Sequence, residues 1–486
     1  MANPLPKIRW AVFIALGLLA LAVRLPQLGE RPMHTDESIN AYIIGQLLAG
    51  ERFNYDPQDR HGPALVAAAL PLAKLQGAKK FSDLTESELR LTTVLAGTAT
   101  ILLLGAGCEI FGFIPCLIAA LLFAAAPLPV YYDRYFIHET LFVAATFGFV
   151  LTGWRAFKNN SVVQAALAGA SAALMFACKE TAVLHFFAFA VAALTFGLWK
   201  PRRKNVADLW QPKLVITAVV VFLFVSVMLL TWFGQNWKAL AGLSQAIPNF
   251  TSRAGGEGHE KPFWYYARLL AGGWSGGMIS GLALIGFFQI FRKQNRSAYG
   301  FLALYTLCIV TIYSAISYKT PWLALNFWLP VALFAGLAIE SFWFASAKFY
   351  VRMTILTFLI ALGILIAHDT RQRVFLNPGD EKNPYAYAHT SEDLLGLSTR
   401  LEELIRQNKN AHPRIAVIAS DPWPLPWYLR KFSGVGFWQP GQEVGAADFF
   451  ITSTEATEKY GDQLKDLRPE FFGARPGVLI ILWTPK

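Results

Sequence analysis

Apolar stretches of about 18 to 22 residues recur along this chain, and they constrain its fold more than any other feature. A helix of roughly 20 apolar residues is long enough to cross the hydrocarbon core of a bilayer. The chain is also 55% hydrophobic and only 15% charged, whereas ordinary soluble domains carry roughly 25% charged residues. The sequence therefore predicts a polytopic α-helical membrane protein. We place about eleven transmembrane helices, at approximately 10–28, 89–107, 113–130, 140–157, 163–178, 181–199, 213–233, 264–291, 299–317, 322–338 and 353–367.

The charge distribution predicts an orientation in the membrane. Lys7 and Arg9 precede the first span, which places its start in the cytoplasm. With alternating spans, every strongly basic short loop then falls on the cytoplasmic side, as the positive-inside rule requires. These loops hold Arg155, Lys158, Lys200, Arg202, Arg203, Lys204, Lys213, Arg292, Lys293, Arg296, Lys348 and Arg352. Because no cluster of basic and aromatic residues has a binding-module pattern, the net charge of +11 does not indicate a nucleic-acid partner.

The composition becomes more polar after His368, and this change predicts a second domain. Residues 1–368 form the transmembrane domain, with an outer acidic loop at 29–88, and residues 369–486 form a small α/β domain on the outer side. A stripe of leucines predicts a helix at 391–407. Runs rich in Val, Ile and Phe predict buried strands at 414–419, 448–452 and 478–483.

Two adjacent acids, Asp36 and Glu37, follow the first apolar run. An ionised carboxylate needs water, a cation or a hydrogen-bonding partner, so acids near a membrane face are candidates for function. One interpretation is that Asp36 caps a helix that begins near Glu37, since Asp is a preferred N-cap residue. The other is that the pair provides a general base or metal ligands. The sequence leaves both open.

Charged residues also interrupt the ends of other spans on the predicted outer side. They are His61, Asp133, Arg134, His138, Glu139, Lys179, Glu180 and Lys319. Each has a structural alternative, such as an ion pair between Lys179 and Glu180 or snorkelling of Arg134 beside an aromatic belt. In the functional interpretation, Arg134, Lys179 and Lys319 bind a phosphate. Acids and cations on one membrane face suit a substrate with a lipid tail and a charged head, such as a polyprenyl-phosphate sugar.

Aromatic residues form a further candidate group. Trp423, Trp427 and Tyr428 lie in the motif 421–430, and Trp322 follows Lys319 closely. These side chains could contact a sugar or an acceptor. For the three residues of the motif the alternative is that they pack the C-terminal domain against the membrane part, and this packing is the favoured interpretation.

Several short motifs together resemble those of a known family. They are Thr35-Asp36-Glu37, His61-Gly62-Pro63, Asp133-Arg134-Tyr135-Phe136, Lys179-Glu180-Thr181, Tyr318-Lys319-Thr320-Pro321-Trp322 and Asp421-Pro422-Trp423-Pro424-Leu425-Pro426-Trp427-Tyr428-Leu429-Arg430. The chain resembles the type C membrane glycosyltransferases of family 39, which include the protein O-mannosyltransferases and the aminoarabinose transferase of lipid A. It looks most like their "flippase activity-associated" subfamily. The O-mannosyltransferases carry a β-trefoil domain that this sequence lacks, so the resemblance leaves the acceptor open.

The resemblance implies an inverting transferase in the plasma (inner) membrane. It would move a hexosyl or pentosyl group from a polyprenyl-phosphate donor to a hydroxyl of a lipid, glycan or protein on the extracytoplasmic face. Asp36 would be the base, and Glu37 would support it or bind with it a divalent cation, Mg²⁺ or Mn²⁺. Arg134, Lys179 and Lys319 would bind the donor phosphate, with His61, Asp133, His138, Glu139 and Glu180 as second-rank residues. The alternative is a non-enzymatic protein that translocates lipid-linked sugars or assists their translocation.

Overall fold

The computed structural model describes residues 6–57, 60–199, 211–256, 258–290, 297–408 and 412–486, and its contacts divide the chain into two units. The membrane unit comprises Met1–Pro26, Arg52–Ala68 and Arg90–Leu376. The sheet unit comprises Gln27–Glu51, Ala69–Leu89 and Asn377–Lys486. The sequence predicts that the whole outer loop 29–88 belongs with the membrane spans. In the structure, two pieces of that loop group with the C-terminal residues, through hydrogen bonds described below.

Helices are the main elements of the described part of the first 370 residues. They are α1 (Pro6–Arg24), α2 (Thr35–Leu48), α3 (Ala64–Leu75), α4 (Glu86–Phe111), α5 (Phe113–Ala125), α6 (Pro127–Asp133), α7 (Glu139–Asn159), α8 (Val162–Cys178), α9 (Ala182–Trp199), α10 (Pro212–Leu230), α11 (Leu243–Ala254), α12 (Tyr265–Leu270), α13 (Gly273–Gln289), α14 (Ser297–Ala315), α15 (Leu325–Ala345) and α16 (Phe349–Thr370). Each predicted span overlaps at least one of these helices.

The number of spans is lower than predicted when length and apolar composition are the criteria. In the part of the chain that the structure describes, 7 helices meet them, or 8 if α5 and α6 form one span bent by 58°. The predicted span 264–291 is also divided, because the helix breaks before Gly273, whose φ is +76°. The figure of about eleven is therefore not confirmed. The basic residues of 200–204 and 292–296 lie outside the described residues.

Small residues allow close packing between helices of the membrane unit. A Cβ atom at Gly286 on α13 would lie 1.8 Å from the Phe334 carbonyl oxygen on α15. A Cβ at Gly169 on α8 would lie 2.2 Å from the Ala218 carbonyl oxygen on α10. Because lipid chains are as apolar as the side chains they contact, van der Waals packing of this kind drives helix association in membranes. These glycines thus fix how closely the two helix pairs approach.

The sheet unit contains a five-stranded mixed sheet among the described residues. Its strands are β1 (Ile415–Ile418), β2 (Val435–Trp438), β3 (Phe449–Ser453), β4 (Leu467–Arg475) and β5 (Val478–Pro485), in the order β2-β1-β3-β5-β4. The first three are parallel, and β5 pairs antiparallel with β3 and β4. The helices of its C-terminal part are α17 (Asp393–Asn408), α18 (Leu425–Tyr428), α19 (Thr454–Lys459) and α20 (Gly461–Leu464). The predicted α/β character of this part of the chain is confirmed, although β2 and β4 were not predicted.

Candidate functional site

The acidic pair lies in the first turn of α2, but the helix cap is His34. The His34 imidazole Nδ1 accepts a hydrogen bond from the Asp36 backbone N–H at 3.1 Å. The Glu37 carboxylate accepts one from the His34 backbone N–H at 3.1 Å, which completes a capping box. Burial lowers the pKa of His34, and this keeps the imidazole neutral and able to accept. The proposed cap role of Asp36 is therefore filled by its neighbours.

The two carboxylates differ sharply in their surroundings. Glu37 is fully buried, whereas the Asp36 side chain is 46% exposed. Since the Glu37 carboxylate accepts from a backbone amide, only Asp36 of the pair has a carboxylate open to a substrate. Within the described ranges, no group of three or more His, Cys, Asp or Glu side chains is arranged to hold a metal ion. The pair by itself does not fit a divalent-cation site.

The aromatic residues of the C-terminal motif pack inside the sheet unit. Trp427 is fully buried, and its indole N–H donates to the Glu86 carboxylate at 2.7 Å. Tyr428 is 7% exposed. Trp423 is half-buried and lies edge-to-face with Tyr42 at 5.7 Å between ring centroids. Neither Trp427 nor Tyr428 offers an open ring face for stacking on a sugar.

The three predicted phosphate-binding cations lie in the membrane unit, and all are buried or nearly so. The Lys179 ammonium forms an ion pair with Glu139. The Lys319 ammonium donates to the backbone carbonyls of Lys261, at 3.0 Å, and Ile316. Lys319 is 1% exposed, and burial lowers the pKa of its ammonium. No carboxylate among the described residues forms an ion pair with Lys319, in contrast to Lys179.

Arg134 and Asp133 belong to a buried network around the end of α1. The Arg24 guanidinium pairs with the Asp133 carboxylate at 2.8 Å, and both side chains are fully buried. Arg24 also donates to the Phe123 carbonyl at 2.6 Å. The Arg134 guanidinium donates to the Arg24 carbonyl at 2.6 Å and lies 4.7 Å from the Phe375 ring centroid. Asp133 therefore neutralises a buried arginine and ties α1 to the end of α6.

A second polar cluster joins the segment before α3 to the turn between α8 and α9. The Glu180 carboxylate accepts hydrogen bonds from the Tyr55 hydroxyl at 2.7 Å and from His61 Nδ1 at 3.0 Å. Burial tends to raise the pKa of Glu180, but the charge and hydrogen bond of His61 and the hydrogen bond of Tyr55 outweigh it and lower the pKa to about 2. His138 lies edge-to-face with His61 at 5.3 Å and interacts with the Gly62 carbonyl. Glu180 is thus ionised at neutral pH and orients His61.

Trp322 is also buried in the membrane unit. It is 7% exposed and lies 6.3 Å from Tyr135 between ring centroids. The segment that contains it is fixed by a hydrogen bond from the Tyr266 hydroxyl to the Thr320 carbonyl at 3.4 Å. Trp322 thus supports the chain that carries Lys319.

Sequence reasoning missed three of these contributors. His34 was not expected as a cap, because His is not among the preferred N-cap residues. Tyr55, which orients Glu180, lies in a polar turn with no distinguishing pattern. Arg24 did carry a signal, since it is a single cation at the end of an apolar run and needed a partner.

The helical arrangement and the C-terminal sheet define the fold of a type C glycosyltransferase. The chain is similar over 96% of its length to the crystal structure of ArnT from Cupriavidus metallidurans bound to undecaprenyl phosphate, with a TM-score of 0.68, 12% identity and 97% of that chain covered. It is similar over 97% of its length to the archaeal oligosaccharyltransferase AglB from Archaeoglobus fulgidus in complex with an inhibitory peptide and a dolichol-phosphate. That match has a TM-score of 0.58, 12% identity and 74% of that chain covered.

Part of the chain also matches a protein-family model. Residues 75–232, about a third of the chain, match the family described as dolichyl-phosphate-mannose-protein mannosyltransferase. A search of curated proteins finds no match. The predicted resemblance to type C glycosyltransferases of family 39 and the predicted fold class are confirmed. The chain is an integral membrane protein, while the narrower resemblance to the "flippase activity-associated" subfamily stays a prediction.

Proposed function

We propose that this protein transfers a sugar from a polyprenyl-phosphate donor to a hydroxyl of a lipid, glycan or protein acceptor. The reaction takes place on the extracytoplasmic face of the plasma (inner) membrane, the side that the basic loops predict for Asp36. The family model and the fold shared with a transferase bound to undecaprenyl phosphate support this class of donor.

The observation that carries the proposal is the exposed Asp36 carboxylate beside a buried, capping Glu37. Asp36 takes the proton of the acceptor hydroxyl as general base. The acceptor oxygen forms a bond to C1 of the sugar while the bond between C1 and the phosphate oxygen breaks. Polyprenyl phosphate leaves with the electron pair, and attack from the opposite face inverts C1. Glu37 supports the base by fixing the first turn of α2.

The proposed phosphate-binding residues of the membrane unit differ in the partners that their charged groups already have. Lys319 comes first, because carbonyl oxygens hold its ammonium and no described carboxylate neutralises it. A buried cation of this kind gains most from an anionic ligand. Lys179 is already paired with Glu139, and Arg134 donates to backbone carbonyls. Lys179 and Arg134 therefore act on the phosphate mainly through their positive charge, and less through hydrogen bonds that they donate to it.

The test is a turnover assay in nanodiscs, with radiolabelled polyprenyl-phosphate sugars and a membrane extract as acceptor pool. We expect wild type to transfer label and Asp36→Asn to lose at least about 100-fold in rate, since a missing general base typically costs 10²–10⁴-fold. Asp462→Asn, which removes an exposed carboxylate elsewhere in the sheet unit, should be fully active. Glu37→Gln keeps an oxygen that accepts the capping hydrogen bond and should retain most of the activity.

Other outcomes of the same assay distinguish the alternatives. Full turnover by Asp36→Asn would show that Asp36 is not the base. Tight lipid binding by both proteins without any transfer would favour the translocation or accessory role. Parallel reactions with a chelator and with added Mg²⁺ or Mn²⁺ test the predicted divalent cation. An unchanged rate in the chelator would count against that cation.

A further inference from the structure

The backbone just before α2 is held by residues from the far end of the chain. The Met33 N–H donates to the Tyr428 hydroxyl oxygen at 2.8 Å. The Met33 carbonyl accepts a hydrogen bond from the Thr390 hydroxyl at 2.6 Å. His34 Nε2 lies 3.1 Å from the Tyr387 carbonyl oxygen. Both polar groups of the Met33 backbone and the capping imidazole are therefore fixed from residues 387–428 of the same unit.

The body of α2 and the segment that follows it contact the same C-terminal motif. The Ser38 hydroxyl lies 3.5 Å from the Pro424 carbonyl oxygen, at the limit of a hydrogen bond. Trp427 binds Glu86 as described above, and the Arg430 guanidinium donates to the Leu84 carbonyl at 3.0 Å. Arg430 also stacks 3.6 Å from the Trp427 ring centroid. The motif therefore contacts both chain segments of the outer loop that belong to the sheet unit.

Asp36 lies three residues after Met33, in the turn that these contacts fix. Rotation of the first turn of α2 would break the hydrogen bonds at Met33 and His34. These bonds therefore fix the direction in which the first side chains of the helix point. Displacement of a reacting group by about 1 Å can cost about 100-fold in rate. The geometry therefore makes the direction of the Asp36 carboxylate depend on the C-terminal motif.

We propose that Tyr428 and Thr390 are positioning residues for the transfer reaction, and that the motif 421–430 orients Asp36 in place of binding an acceptor. This inference rests on the proposed function, because it assigns Asp36 as the base. Neither side chain touches a substrate in this scheme. Each acts only through the backbone of Met33.

The test compares variants that remove one hydroxyl each. Tyr428→Phe and Thr390→Val abolish the two hydrogen bonds to Met33 and keep the side-chain volume nearly unchanged. The matched control is Tyr460→Phe. Tyr460 has the same 7% exposure, accepts from the Gly441 N–H at 3.0 Å and donates to the Gln442 carbonyl at 2.6 Å. Both hydrogen bonds of its hydroxyl lie within the sheet unit, and neither involves Met33 or α2.

We expect Tyr428→Phe and Thr390→Val to lower kcat about tenfold each, with the donor KM unchanged. Thr390→Ser, which keeps the hydroxyl, should restore wild-type kcat. The melting temperature should fall by no more in Tyr428→Phe than in Tyr460→Phe, which loses two hydrogen bonds, while Tyr460→Phe keeps full kcat. A merely structural role would lower stability and activity together in all three variants.

Three results would each contradict either the positioning role or the proposed function on which it rests. Full kcat in both Tyr428→Phe and Thr390→Val, with Asp36→Asn inactive, would overturn the positioning role and leave the proposed function intact. A raised acceptor KM with unchanged kcat would instead show that the motif binds the acceptor. An inactive wild type would show that the proposed function fails, before any comparison among variants.

Discussion

Adjacent carboxylates at a helix start can serve different purposes, and Asp36 and Glu37 show how the backbone decides between them. Glu37 is the third residue of the helix, where its side chain reaches back to the His34 N–H. Asp36 precedes it by one position, and its carboxylate lies 4.0 Å from the His34 imidazole Nδ1 with nearly half of the side chain exposed. A sequence motif of two acids therefore separates into one structural group and one group available for chemistry.

At the same scale, the proposed role of Lys319 as a phosphate-binding cation can be tested by a single substitution. Replacing it with Met removes the charge and keeps the stem, so the donor phosphate loses a buried counter-charge. We expect the donor KM to rise at least about tenfold in Lys319→Met, because hydrogen bonds to charged groups contribute about 1.5–3 kcal/mol. Turnover against donor concentration measures this change.

The control for Lys319 is Lys238→Met, which removes an exposed lysine of the same unit. Its donor KM should stay at the wild-type value. If Lys319→Met binds donor as tightly as wild type does, the lysine holds only its own loop, through the carbonyls of Lys261 and Ile316.

At the scale of elements, close helix packing gives a prediction about stability. Gly286→Ala would place a methyl group against the Phe334 carbonyl and force α13 and α15 apart. Overpacking of this kind typically costs about 1–3 kcal/mol, so the melting temperature in detergent should fall by several degrees. Gly281→Ala on the same helix is the matched control, because nothing lies within 4 Å of its Cβ position. Since Ala has a higher helix propensity than Gly, Gly281→Ala should leave the melting temperature unchanged or raise it. An equal fall in both variants would show that the contact with the Phe334 carbonyl does not set the cost.

The helices could be predicted from the sequence because apolar length is a local property. The breaks could not, since the bend between α5 and α6 and the break before Gly273 lie within continuous apolar runs. Strands β1, β3 and β5 were predicted from their Val, Ile and Phe content. β4 was missed because it is an edge strand that contains Pro469 and several charged residues.

The site was predictable in its residue types but not in its partners. Asp36 and Lys319 stood out as charges at the ends of apolar runs. The pairing of Lys179 was not predictable, because its partner is Glu139 across the fold and not its sequence neighbour Glu180. Long-range contacts such as Met33 with Tyr428 leave no trace in local periodicity.

At the scale of the whole molecule, the basic loops predict which side of the membrane each segment occupies. An alkaline phosphatase fused after Lys486 should be active, and a fluorescent protein fused at the same point should be dark, because the C-terminal domain is predicted to be extracytoplasmic. Fusions within the basic segment 200–204 should give the opposite result. A fluorescent C-terminal fusion would show that the topology is the reverse of the predicted one and that Asp36 lies on the cytoplasmic side.

The contacts at the start of α2 join residues that are 353 to 395 positions apart. Ribosomes therefore finish every membrane helix before the partners of Met33 and His34 have been made. Chains generally fold from the N-terminus as they are synthesised, but the contacts that hold the start of α2 form only after residues 387–428 have been made. The carboxylate that we propose as the base is consequently set in its final place late in biogenesis.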